Sequence, residues 1–77
     1  MRIVYTRHAR QRMAQRNISE EQVIETLEWP DEVLPGNHNE ETAVRLYGAR
    51  EVRVIYEEVE AETYLILTVI KPKATDR

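Results

Sequence analysis

Pro30 splits this chain into two stretches with different apolar periods, and that switch limits the fold more than any other feature. A proline disfavours helical geometry in the residue before it, so a helix reaching this point stops at Trp29. Upstream, the signals are helical. Thr6 is placed to cap a helix running to about Arg16, and Asn17 can take the left-handed conformation that ends it. Ser19 opens a second helix, with Gln22 completing a capping box and Glu20 and Glu21 favouring the positive end of the dipole. Ile18 sits where a hydrophobic staple to Val23 would form. The spacing predicts helices over 7–16 and 20–29, preceded by a short strand at Ile3-Val4-Tyr5.

Downstream, the period falls to two. Thr42 to Tyr47 alternates, with Val44 and Leu46 on one face and Arg45 and Tyr47 on the other. After a turn at Gly48-Ala49, Glu51 to Glu57 sets Val52, Val54 and Tyr56 against Arg53 and Ile55. Thr63 to Lys71 is apolar on both faces, as expected of a strand inside a sheet. Pro35 to Asn39 is loop by composition, Glu58 to Glu62 is an acidic turn, and Lys71 to Arg77 reads as a flexible tail. The expected architecture is α+β: a short N-terminal strand, two helices, then an antiparallel meander, giving three or four strands in one domain over 1–77. Met13, Ile18, Val23, Ile24, Leu27, Val44, Leu46, Val52, Val54, Leu65 and Leu67 are the expected core.

Composition narrows the function. At 77 residues there is room for one small core. No cysteine is present, which removes disulfides, thiol catalysis and thiolate metal sites. Two histidines thirty residues apart give no metal-ligand spacing, so no metal and no cofactor are expected. The N-terminus lacks the apolar stretch of a signal peptide, and no run reaches the roughly 18 apolar residues of a membrane helix. A cytoplasmic protein with no membrane partner is the expectation.

The net charge of −3 conceals a segregated distribution. Residues 1–16 hold five arginines and no acid, whereas residues 17–62 hold thirteen acids against Arg45, Arg50 and Arg53. On the first helix, His8, Arg12 and Arg16 follow one another at i, i+4 and form a ridge beside the Ala9–Met13 core stripe. Like charges at this spacing repel by a few tenths of a kcal/mol. Two readings are open. Either Arg12 and Arg16 pair with acids of the second helix, such as Glu20 or Glu28, or the ridge faces an external anion. His8 is correspondingly either a neutral hydrogen-bonded ring or a general acid or base. Arg45, Arg53 and Thr68 form a polar set on the strands, open to the same choice between solvated cross-strand contacts and function.

Tyr5-Thr6-Arg7-His8-Ala9, Arg12-Met13, Arg16-Asn17-Ile18-Ser19, Val52-Arg53-Val54-Ile55-Tyr56 and Leu67-Thr68-Val69 resemble domain of unknown function 4258, a family of small prokaryotic proteins. The likeness covers nearly the whole chain. That family is similar in layout to RelE-like and BrnT-like toxins of toxin–antitoxin pairs, which implies two helices on an antiparallel sheet, RNA as partner and metal-independent ribonuclease activity. The residues carried over are His8, Arg12, Arg16, Arg53 and Thr68. On the toxin reading, His8, Arg12 and Arg53 are catalytic and Arg16, Arg45 and Thr68 bind. An antitoxin or other protein, or a second copy, is the expected protein partner. The alternative is a non-catalytic interaction module with a structural arginine seam. The chain departs from RelE-like toxins in being acidic, with a sequence pI near 5.4.

Overall fold

A computed structural model of the chain describes residues 1–72. The order is β1 (Arg2–Tyr5), α1 (Arg7–Arg16), α2 (Glu20–Glu28), β2 (Glu32–Pro35), β3 (Glu40–Tyr47), β4 (Arg50–Glu60) and β5 (Thr63–Ile70). The architecture is α+β, with both helices packed on one face of a five-stranded sheet. Lys71 and Pro72 follow β5, and the rest of the expected tail lies outside the described residues.

The helix boundaries follow from their caps. Thr6 accepts from the Ala9 N–H at 3.0 Å and donates to the Leu67 carbonyl at 3.1 Å, so one hydroxyl both starts α1 and fastens it to β5. Asn17 sits at φ 57° and ψ 47°. Its N–H reaches the Ala14 carbonyl, and that of Ile18 reaches Met13 at 2.9 Å, the paired pattern of a Schellman ending. Ser19 and Gln22 form both halves of the capping box, and Ile18 and Val23 are buried together at the staple position.

The sheet order is β1-β5-β4-β3-β2. Three neighbouring pairs are antiparallel, but β1 lies parallel to β5, so the sheet is mixed rather than a pure meander. The chain leaves β1 at one edge, crosses one face of the sheet as the two helices, enters the opposite edge as β2 and meanders back. β2 was absent from the expected elements, because four residues ending in proline carry no alternation signal. Proline is tolerated there because β2 is an edge strand. β4 also runs further than expected, to Glu60, leaving Ala61-Glu62 as the turn.

The core joins Ala9 and Met13 of α1, Ile18, Val23 of α2, and Ala43, Val52, Val54, Tyr56, Ile66 and Val69 of the sheet. Three expectations are corrected. On α2 the inward positions are Val23 and Thr26, while Ile24 is 38% exposed. Thr26 tolerates burial because its hydroxyl donates to the Gln22 carbonyl at 2.7 Å. On β3, Ala43 belongs to the helix-side core and Tyr47 packs against it, while Leu46 is 55% exposed and Val44 is buried on the other side of the sheet. On β5, Ile55 pairs with Thr68 and Tyr56 with Ile66, so Leu67 is an inserted residue. That insertion makes Ile66 and Val69 the inward residues, and Leu65 and Leu67 are only half-buried.

The helix-side layer also holds tyrosines whose ionisation folding opposes. Burial pushes the Tyr56 hydroxyl up to about 12, aided by its 3.0 Å hydrogen bond to the Glu41 carboxylate. A phenol whose pKa is raised on folding contributes stability that is complete below its unfolded value and lost as pH climbs through the folded one. The melting temperature is therefore expected to fall from about pH 10 to pH 12. Thermal melts across that window should show a shallower fall in Tyr56→Phe, which lacks that phenol, and a residual fall from Tyr5 and Tyr47, whose values are also raised.

Candidate functional site

The cations of the chain divide into those with internal partners and those without. Arg10 is internal. It donates to Glu20 at 2.6 Å and lies 4.4 Å over the Tyr5 ring, joining α1 to the start of α2 and to β1. Arg45 is internal as well: its guanidinium donates to the Trp29 carbonyl at 2.6 Å, satisfying the end of α2, and lies 5.3 Å from the Tyr47 ring. Tyr47 in turn donates to Glu25 at 2.8 Å, and burial followed by that bond raises its hydroxyl above the usual range. Arg45 thus fastens the last turn of α2 to β3. Its Nε is buried and has no hydrogen-bond partner among the described residues.

The ridge of α1 is different. His8 and Arg16 are exposed and Arg12 is half-buried. Arg12 donates from Nε to His8 Nε2 at 3.4 Å and from a terminal nitrogen to Gln15 Oε1 at 2.9 Å. In this contact the guanidinium donates and the imidazole Nε2 accepts. The Arg16 side chain has no ion-pair partner among the described residues. Lys71, at the end of β5, reaches the Arg16 carbonyl at 3.4 Å and brings a further cation to the same place. The acids of α2 do not meet the ridge: Glu20 goes to Arg10, and Glu28 is exposed with no ion pair among the described residues. The seam of Arg12 and Arg16 against acids of α2 is therefore not formed, and Arg10 makes the helix–helix ion pair instead.

The structure does not bring the six candidate residues to one place. His8, Arg12 and Arg16 share one ridge, on the helix side. Arg45 is on the same side of the sheet but serves α2. Arg53 lies across from Val44 and Ile70, and Thr68 across from Ile55, all on the face turned away from the helices. Arg53 pairs there with Glu51 of its own strand. Neither Arg45 nor Tyr47 is its cross-strand partner, since those residues oppose Val52 and Arg50.

Two participants were not singled out from the sequence. Gln15 lies three residues after Arg12, a helical spacing that signals contact. Lys71 offered no such signal, because its place beside Arg16 depends on packing between residues 55 apart.

The field of the molecule is polar end to end. Arg16 and Lys71 mark the end where β5 finishes. Glu58, Glu60 and Glu62 crowd the turn where it begins, beside the start of β1. Eight strand residues, about 26 Å, separate the two ends of β5. The long axis measures 41 Å. Net acidity therefore does not prevent α1 from presenting positive potential to an anion. Successive ridge side chains step about 6 Å along the helix axis, and two of them are guanidinium groups suited to bidentate bonds with phosphate oxygens.

Among the described residues no group of three or more histidine, cysteine or carboxylate side chains is arranged to hold a metal ion, and no helix is long and apolar enough to cross a membrane. No curated protein and no solved structure matches the chain. One family does, over residues 5–71, a span that takes in the ridge of α1, the bulged β5 and Arg53 together: the chain belongs to the family described as Domain of unknown function (DUF4258).

Proposed function

We propose that this chain is an RNA-binding domain of the toxin-like kind, and that it grips the phosphate backbone with the ridge of α1. The observation carrying this reading is that Arg12 and Arg16, which like Arg2, Arg7 and Arg50 stand outside every internal ion pair among the described residues, lie at i, i+4 on one ridge with His8, while Arg10, Arg45 and Arg53 are each used within the fold. A row of like charges costs an isolated helix stability, and an external polyanion reverses that cost. His8 offers Nδ1–H as a further donor once Nε2 accepts from Arg12.

The arrangement favours binding over cleavage. Metal-independent cleavage needs a base for the 2′-hydroxyl and an acid for the leaving oxygen. His8 alone on the ridge can serve, since residues 1–16 contain no carboxylate. Arg53, the cation expected to meet transition-state charge, is on the opposite face of the sheet.

Titrating single-stranded RNA into isotope-labelled protein tests the assignment by NMR. Amide and side-chain shifts are expected on His8, Arg12, Gln15, Arg16 and Lys71, with Arg53 and Thr68 unmoved and the RNA recovered intact. Shifts centred on the open sheet face, or cleaved RNA, would overturn it.

A further inference from the structure

The helix layer stops short of one edge of the sheet. α1 packs on β5, and α2 packs on β4 and β3. β2, the outermost strand on that side, keeps a bare helix-side face. Val33 pairs with Ala43 of the helix-side core, so it points to that side, and it is 45% exposed. Pro35, two residues on, shares the face and is exposed as well. Trp29 ends α2 and is 68% exposed, more than any other large apolar side chain among the described residues. Arg45 holds the Trp29 carbonyl at 2.6 Å and sits two residues from Ala43 on the same face of β3, about 7 Å along the strand. Trp29, Val33 and Pro35 therefore border one apolar corner.

The charge around this corner has one sign. No lysine or arginine occurs between Arg16 and Arg45, a span holding eight acids. Glu28, on the last turn of α2, and Glu41, opposite Pro35, are exposed and form no ion pair among the described residues. Glu41 accepts from the Tyr56 hydroxyl, Glu25 from that of Tyr47 and Asp31 from the Leu46 N–H, all neutral donors that leave the charges uncompensated. Arg45 is spent on the Trp29 carbonyl and the Tyr47 ring. Arg50, opposite Tyr47, lies about 14 Å along the strands from Ala43.

We propose that this corner docks an amphipathic helix of another protein, one that carries lysine or arginine along the flanks of its apolar stripe. Such a helix takes a third place in the helix layer, beside α2 and over β2. Its apolar stripe covers Trp29, Val33 and Pro35, and its cations reach Glu28 and Glu41. A cation over the indole face adds cation–π attraction, which is strongest for tryptophan.

Two other occupants fit poorly. Strand addition meets Pro35: the Gly36 N–H bonds the Glu40 carbonyl, so Val33 and Pro35 turn their main chain outward, and proline has no N–H to give. A second copy could offer only α1 as a basic helix, and the apolar stripe of α1, Ala9 and Met13, is buried in its own core. RNA is repelled by the acids, so the corner and the α1 ridge serve different partners.

Trp29 is the one tryptophan of the chain, so its emission reports on this corner. The probe is a helical peptide of leucine and lysine, roughly 18 residues long, with leucine at i, i+3, i+4 and i+7 and no aromatic residue. Titrated into the full chain, it should shift the emission to the blue and saturate at one peptide per chain. With a labelled peptide, anisotropy should show about tenfold or weaker binding in Trp29→Ala and about threefold or weaker in Glu28→Lys. Both positions are exposed, so circular dichroism should not change. Arg12→Ala combined with Arg16→Ala should bind the peptide as wild type does. An emission unmoved up to near-millimolar peptide would overturn the proposal. So would binding indifferent to Trp29→Ala, or equal binding of the same peptide with glutamate in place of lysine. A blue shift that grows with protein concentration in the peptide-free chain would also overturn it and give the corner to a second copy.

Discussion

Ile66→Ala is expected to cost about 3–4 kcal/mol, the usual range for truncating a large aliphatic side chain in a sealed core. The Ile66 side chain is fully buried and sits between Tyr5 of β1 and Tyr56 of β4. A 77-residue domain commands on the order of 4–12 kcal/mol in total, so this change alone removes from about a quarter to nearly all of it. Leu67→Ala, one residue on, should cost roughly 1 kcal/mol, because the inserted residue is only half-buried. Urea unfolding of both variants checks the register of β5 directly. Comparable losses, or the reverse order, would mean the bulge is misplaced.

The largest expected loss of function follows from Arg12→Ala combined with Arg16→Ala. Two charge-assisted phosphate contacts at about 1.5 kcal/mol each correspond to about a hundredfold in RNA affinity. Fluorescence anisotropy with a labelled single strand measures it. Thermal stability should hardly change, since neither guanidinium bonds to an acid among the described residues and one like-charge pair is relieved. A large fall in melting temperature would instead show that the ridge supports the fold.

The helices were legible because their boundaries are written in side chains close in sequence. Thr6, Asn17 and the Ser19–Gln22 pair each act within five residues of themselves, and all four are found in those roles. β4 was legible for the same kind of reason: Val52, Val54 and Tyr56 alternate cleanly and are all buried. The strands on either side of it were not. On β3 both faces carry apolar residues, and the choice between them rests on Arg45, whose guanidinium can lie on the inner side only because the Trp29 carbonyl awaits it there. On β5 an inserted Leu67 shifts the inward set by one, and an insertion is defined against the partner strand rather than by any local pattern. The parallel placement of β1 likewise depends on where β5 arrives, some sixty residues later.

The same division applies to the site. Helix geometry alone put His8, Arg12 and Arg16 on one ridge, and there they are. Which face of the sheet Arg53 and Thr68 occupy is a matter of register, so motif residues that read as one constellation occupy two separate surfaces.

The salt dependence of RNA affinity, measured side by side for wild type, the Arg12→Ala/Arg16→Ala variant and Arg53→Ala, tests the central claim most directly. Each phosphate neutralised on a single strand contributes about −0.7 to the slope of log affinity against log salt. With Arg12, Arg16 and Lys71 in contact, wild type should show a slope near −2, at about 0.7 per phosphate. The double variant should fall to about −0.7, the contribution of one remaining phosphate, while Arg53→Ala keeps the wild-type slope. An unchanged slope in the double variant, or an equal loss in Arg53→Ala, would contradict the assignment of RNA contact to the ridge of α1.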